Sequence, residues 1–115
     1  MRHELFPAAE LAVGTMRGAS VGKISVVVIR DGAGNLTALR DVCPHHYARL
    51  SDGRLEQMVV GDEVGEKELS DTYIVRCPRH GHEFDVATGL CPADASHRVR
   101  PFAVSIENDM VVVEW

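Results

Sequence analysis

Two short segments that pair a cysteine with histidines constrain this chain more than any other feature. The first is "CPHH", in which one residue separates Cys43 from His45, and the second is "CPRHGH", in which two residues separate Cys77 from His80. Each pair is close enough in sequence to lie in one tight loop. Two such loops would bring two sulfur and two nitrogen atoms to one site, so the pattern predicts a metal centre.

The choice of metal depends first on ligand type and then on spacing. Thiolates favour zinc, copper(I) or iron–sulfur clusters, and imidazole suits zinc and iron, so ligand type leaves zinc and iron open. The single residue between Cys43 and His45 suits zinc fingers and ribbons less well. In a Rieske centre two histidines replace two cysteines on one of the two irons, so each loop supplies one ligand to each metal. The C-x-H and C-x-x-H pairs meet that requirement.

Around these residues the chain resembles Rieske-type [2Fe-2S] ferredoxins, in particular the ferredoxin component of bacterial aromatic-ring-hydroxylating dioxygenase systems. The segment "DVCPHHYARLSDGRL" resembles the first ligand loop of that family, and "VRCPRHGHEFDVATGLCPA" resembles the second. The segment "VRPFAVSIENDMVVVEW" resembles the closing hairpin. The resemblance implies one [2Fe-2S] Rieske cluster, with Cys43 and Cys77 on one iron and His45 and His80 on the other.

The distance between the two loops departs from the family pattern. Residues 46–76, 31 in number, separate His45 from Cys77, which is more than these ferredoxins usually have. We expect the acidic stretch from Gly61 to Asp71 to hold the surplus as an exposed excursion. Gly81 should permit the tight turn after the second histidine, and we interpret Cys91 as a small buried thiol.

The remaining sequence predicts short strands joined by tight turns. Segments rich in β-branched residues are separated by turns that contain glycine, asparagine or aspartate. The predicted strands are Gly22–Arg30, Leu36–Val42, Gln57–Val60, Thr72–Arg76, Val99–Glu107 and Met110–Trp115. The one helical candidate is a single turn at Pro7–Leu11.

These elements predict an all-β protein with the Rieske (ISP-like) fold, an antiparallel β-sandwich or partly open barrel with a small cluster-binding subdomain. We expect a single domain over residues 1–115. Within it, the cluster-binding subdomain should span about residues 42–97, and the scaffold strands should come from about 1–41 and 98–115.

Composition and charge exclude several classes of function. The net charge of −5 argues against binding nucleic acid. The longest apolar runs are far shorter than the roughly 20 residues that cross a bilayer, and "MRHELFPAAEL" lacks the apolar core of a secretory signal. An odd number of cysteines, three, argues against a disulfide framework. We therefore expect a cytoplasmic protein that does not associate with a membrane.

The resemblance implies an electron carrier and not an enzyme. Such a ferredoxin passes single electrons from a flavin-dependent ferredoxin reductase to a terminal aromatic-ring-hydroxylating oxygenase, and we expect it to be a monomer in isolation. An oxygenase subunit would need a second iron site with two histidines and a carboxylate, and only His3 and His97 lie outside the ligand segments. The alternatives are a Rieske-like small subunit of an assimilatory nitrite reductase and a structural zinc-binding interaction module.

Residues beside the ligands bear on the reduction potential. High-potential Rieske proteins resemble one another in a disulfide between the loops and in Ser and Tyr hydroxyls that donate to the cluster. Here the disulfide positions fall on Ala48 and Arg79, and the hydroxyl positions on His82 and Phe84. We predict a potential near the low end of the Rieske range, roughly −150 mV.

Basic residues near the ligands suggest how partners are oriented. The acidic chain would carry a locally basic rim around the cluster, which would face acidic patches on partner proteins. The residues of this predicted rim are Arg49, Arg76, Arg79, His46 and His82.

Overall fold

The described part of the chain contains nine β-strands. The computed structural model describes residues 1–44, 48–60, 68–79, 81–92 and 97–115. The strands are β1 (Arg2–Pro7), β2 (Thr15–Val21), β3 (Ile24–Arg30), β4 (Leu36–Arg40), β5 (Arg54–Val60), β6 (Glu68–Arg76), β7 (Glu83–Asp85), β8 (Pro101–Glu107) and β9 (Met110–Glu114). Short 3₁₀ helices at Ala8–Glu10 and Leu50–Asp52 complete the elements. The predicted all-β class and the helical turn after Pro7 are confirmed, whereas the turn at Leu50–Asp52 was not predicted.

Six of the strands form one antiparallel sheet in the order β1-β9-β8-β4-β3-β2. The two edge strands, β1 and β2, contact each other, so the sheet nearly closes on itself. This is the partly open barrel that the sequence predicts. The other three strands pair in the order β5-β6-β7 as a second antiparallel sheet.

The sequence of β3 places this strand between two hydrophobic cores. Its β-branched run "ISVVVI" favours an extended conformation, and alternate side chains of a strand point to opposite faces. Val26 and Val28 pack with Phe6 and Val111 in what we call the scaffold core. Val27 and Ile29 face the other side, into a second core that contains all three cysteines and that we call the thiol core.

The closing hairpin follows from its turn residues. Asn108 and Asp109 connect β8 to β9 with φ angles of 49° and 64°. Two consecutive positive φ angles are typical of a type I′ turn, whose twist matches that of the flanking strands. The predicted hairpin is confirmed, and its strand β9 contributes Val111 and Val113 to the scaffold core.

The predicted excursion at Gly61–Asp71 is partly wrong. Strand β6 already begins at Glu68, where it pairs with Val60 of β5, so residues 68–71 extend the hairpin. Pairing with a neighbouring strand outweighs the acidic and polar composition of this segment. Residues 61–67 lie outside the described part of the chain.

Within the described residues, no helix is long and apolar enough to cross a membrane.

Candidate metal centre

The two cysteines predicted as ligands come from different sheets and meet in the thiol core. Cys43 follows β4 of the six-stranded sheet, and Cys77 directly follows β6 of the three-stranded sheet. Their exposed fractions are 0% and 1%. Leu50, Val75 and Phe84 belong to the same core. The fold therefore buries both thiols in the same core.

Each predicted ligand loop is closed by a backbone hydrogen bond from its cysteine. The Cys43 N–H donates to the carbonyl oxygen of Ala48 at 2.8 Å, and the Cys77 N–H donates to that of His82 at 2.8 Å. In the second loop the Gly81 N–H also donates to the Cys77 carbonyl oxygen at 3.2 Å. Gly81 has a φ of +71°, in the left-handed region that glycine adopts without strain. The predicted tight turn at Gly81 is confirmed.

His45 and His80, the two predicted histidine ligands, lie outside the described residues, as does His46. Among the residues that the structure does describe, no group of three or more His, Cys, Asp or Glu is arranged to hold a metal ion. Ligation by the four residues stays a prediction; of the four, the structure describes Cys43 and Cys77.

A buried carboxylate ties the two ends of the first loop together, a contact that the sequence did not reveal. Asp41 is 1% exposed and accepts two hydrogen bonds from Ser51, one from the backbone N–H at 2.7 Å and one from Oγ at 2.6 Å. A Cβ on Gly18 of β2 would lie 2.9 Å from Asp41 Oδ2, so the β2 backbone approaches the pair closely. This pair fixes the segment from which Cys43 projects.

Arg76 holds the strands beneath the second loop and does not extend a basic rim. It lies on β6 directly before Cys77, and its Nη2 lies 3.1 Å from Glu56 of β5 and 3.5 Å from Glu83 of β7. Two carboxylates thus compensate its charge, which is a correction to the predicted rim. Arg49 and Arg79 are exposed, as the rim requires. His82 is half-buried, with its ring 6.4 Å from that of His97.

Three of the positions that distinguish high-potential relatives are apolar or turned outward. Phe84 is fully buried in the thiol core and offers no hydroxyl group. Ala48 packs against the same core, whereas Arg79 is exposed. Cys91 is 5% exposed, as predicted for a small buried thiol, and none of the three cysteines forms a disulfide. Cys43 and Cys77 are two thiols of one buried core, and such thiols fit an iron–sulfur centre.

Comparison with known proteins agrees with an iron–sulfur centre. A family model described as the Rieske [2Fe-2S] domain matches residues 1–103. The chain is 31% identical over 114 residues to the ferredoxin component of the naphthalene 1,2-dioxygenase system of Pseudomonas putida, covering 96% of this chain and 92% of that protein.

Solved structures share the fold over nearly the full length. The complex of reduced oxygenase and oxidized ferredoxin in carbazole 1,9a-dioxygenase matches with a TM-score of 0.72 at 25% identity, over 97% of this chain and 100% of the matched chain. A Mycobacterium tuberculosis protein described as an NADH-dependent nitrite reductase small subunit matches with a TM-score of 0.77 at 20% identity, over 98% of this chain and 93% of the other. At that identity the second likeness shows the fold and nothing further.

Proposed function

Because the chain belongs to the Rieske [2Fe-2S] domain family, we propose that it carries single electrons from a flavin-dependent ferredoxin reductase to a terminal aromatic-ring-hydroxylating oxygenase. Membership confirms the predicted Rieske-type ferredoxin and its [2Fe-2S] cofactor. It also confirms an electron carrier in place of a catalytic oxygenase, since the relatives of similar length are ferredoxin components. The identity of the two partners is the part that we propose.

The burial of Cys43 and Cys77 in one core is the observation that carries the proposal. Two thiols from separate loops reach one buried core, as a cluster shared between two loops requires. We assign Cys43, His45, Cys77 and His80 as the ligands. When bound, the cluster supplies reversible one-electron transfer.

The chain's own residues orient the thiols and exclude water from them. The closing hydrogen bonds of the two loops fix the cysteine backbones, and Asp41 with Ser51 fixes the base of the first loop. Apolar side chains from β6 and β7, Val75 and Phe84, cover the thiols from within. Such a shell controls solvent access and, through it, the redox potential of a metal centre.

We further propose the division of the chain that the sequence suggested. Among the described residues, β5, β6 and β7 pair only with one another, and along the chain they lie between β4 and β8 of the six-stranded sheet. This arrangement supports the division. The cluster-binding subdomain of about residues 42–97 then sits on a scaffold from about 1–41 and 98–115. We also propose a cytoplasmic monomer, in line with three cysteines that form no disulfide.

The ligand assignment is tested by a pair of cysteine variants. Cys77→Ser should abolish the visible absorption and the rhombic EPR signal of the dithionite-reduced protein, whereas Cys91→Ser should retain both. The two thiols share one core and are 1% and 5% exposed, so the folding cost of the two changes is similar. Circular dichroism controls for folding. A signal lost in Cys91→Ser and kept in Cys77→Ser would overturn the assignment, and a colourless protein with stoichiometric zinc would overturn the cofactor.

Electron transfer itself is tested with the reductase and oxygenase components of the naphthalene 1,2-dioxygenase system as probes. We expect the holoprotein to be reduced by NADH through the reductase, and the oxygenase to turn over when all three proteins are present. The His80→Ala variant serves as the inactive control. A protein that dithionite reduces but that supports no transfer in either direction would contradict the proposed partners.

A further inference from the structure

A groove lined by three arginines lies beside the first ligand loop. Its volume is about 760 Å³, and it runs between the end of β4 and the segment that leads into β8. Arg40, Arg98 and Arg100 supply the charge of this arginine groove. Pro44, which lies between Cys43 and His45, forms part of its wall.

Strand geometry explains why the three arginines converge. Arg98 and Arg100 flank the buried Val99, so alternation directs both away from the thiol core. The Arg40 N–H donates to the Arg100 carbonyl oxygen at 2.8 Å, continuing the register in which Leu39 opposes Pro101. Residues opposite each other in an antiparallel pair share a face. The register therefore places Arg40 beside Arg100.

The charge of this groove is not compensated by the described residues. No Asp or Glu lines the groove among them, and none of the three arginines takes part in an ion pair there. By contrast, Arg17 pairs with Glu10, and Arg76 pairs with two glutamates. A cluster of like charges on a protein with a net charge of −5 favours an anionic occupant.

Apolar side chains in the groove favour a protein segment as that occupant. Leu90, a large hydrophobic residue, is 38% exposed there, and Pro44 and Pro101 are exposed beside it. Arginine next to exposed apolar residues is typical of protein–protein interfaces. A small anion would gain nothing from the apolar wall.

We propose that the arginine groove docks an acidic segment of a redox partner protein, with its carboxylates on Arg40, Arg98 and Arg100 and an apolar side chain against Leu90. Arginine donates two parallel hydrogen bonds to a carboxylate, and this bidentate geometry fixes orientation as well as affinity. A segment held there touches Pro44 and so lies against the loop of Cys43. The inference rests on the proposed electron-transfer function and names the surface that one partner uses.

The first test measures binding of a labelled probe peptide to the holoprotein by fluorescence anisotropy at low ionic strength. The probe is a hexapeptide that repeats Glu-Glu-Leu, and its Gln-Gln-Leu counterpart is the uncharged control. We expect Arg40→Gln/Arg98→Gln to weaken binding at least tenfold. Lys23→Glu is the matched control, because Lys23 is exposed in the β2–β3 turn outside the groove lining. Either change lowers the net charge of −5 by two.

Three results would overturn the proposal. The first is that the acidic peptide does not bind the wild-type holoprotein, and the second is that the groove variant and Lys23→Glu lose the same amount of peptide affinity. The third is that citrate displaces the peptide at concentrations similar to that of the peptide. Equal loss would mean that net charge governs binding, and displacement by citrate would mean a site for small anions.

The second test separates this inference from the proposed function. The groove variant should retain the EPR signal and reduction by dithionite, while its rate of electron transfer with one partner component falls at least tenfold relative to Lys23→Glu. An unchanged rate with both components would overturn the docking role. A wild-type protein without transfer would instead contradict the proposed partners, and the peptide result would still stand.

Discussion

Removal of the Ser51 hydroxyl tests how the first ligand loop is held. Ser51 Oγ donates at 2.6 Å to Oδ2 of Asp41, a carboxylate that is 1% exposed. In Ser51→Ala the backbone N–H of residue 51 still donates to Oδ1, but Oδ2 loses this donor in a place that water does not reach. The substitution therefore removes one hydrogen bond and leaves a buried charge less well satisfied.

The expected cost follows from the type of bond. A hydrogen bond to a charged group contributes about 1.5 to 3 kcal/mol, and a buried acceptor left without its donor is at the upper end of that range. For a domain of this size, about 1 kcal/mol shifts the thermal midpoint by roughly 4 °C. We expect the thermal midpoint of Ser51→Ala to fall by roughly 6 to 12 °C.

The assay is thermal unfolding of the holoprotein followed by circular dichroism, with Ser105→Ala as control. Ser105 is exposed on β8, so its loss should change the free energy of unfolding by less than about 0.5 kcal/mol. Bleaching of the visible absorption at constant temperature reports cluster release, which should also be faster in Ser51→Ala. If Ser51→Ala melted within the range of Ser105→Ala, the Asp41–Ser51 pair would not be holding the loop.

Three further outcomes are expected. A redox titration should give a midpoint of roughly −150 mV, because no hydroxyl stands at the Phe84 position, and a midpoint above zero would contradict this. Gly81→Ala and Gly34→Ala should each cost about 1 to 2 kcal/mol by melting, since both glycines have positive φ and open space around them. Only Gly81→Ala should also accelerate bleaching of the cluster. Equal bleaching rates in Gly81→Ala and Gly34→Ala would show that Gly81 does not shape the site. Gly89→Ala should cost more than Gly34→Ala, because its Cβ would collide with the Val99 carbonyl oxygen, and an equal cost would disprove the collision.

The parts of the fold that depend on neighbouring residues could be predicted from the sequence. The β-branched run of β3 and the Asn108–Asp109 turn carry their own signals, and both elements formed where expected. Strand β1 carries no such local signal, because its pairing with β9 joins opposite ends of the chain. Strand β2 is an edge strand with a mixed, half-exposed pattern, which offers no clear alternation.

In the site too, features set by neighbouring residues could be predicted, and features set by distant strands could not. The motif spacing sufficed to single out Cys43 and Cys77, which share one buried core, because each lies in a short segment of recognisable pattern. Arg76 was misread as part of a basic rim, since its glutamate partners are set by the register of β5 and β7 against β6. Arg98 and Arg100 alternate visibly in "HRVRPF", yet Arg40 joins them only through the contact of β4 with β8.

Closure of each ligand loop by its own cysteine has a consequence for length variation in such chains. Both bonds join a cysteine N–H to the carbonyl oxygen five residues later, from Cys43 to Ala48 and from Cys77 to His82. The shape of a loop is then decided within those residues, and the β5–β6 hairpin between them can lengthen at its far end without altering either loop. The number of residues between two ligand pairs is accordingly a weak criterion for rejecting a candidate site, whereas insertion of a single residue between a cysteine and its closing carbonyl would change the centre directly.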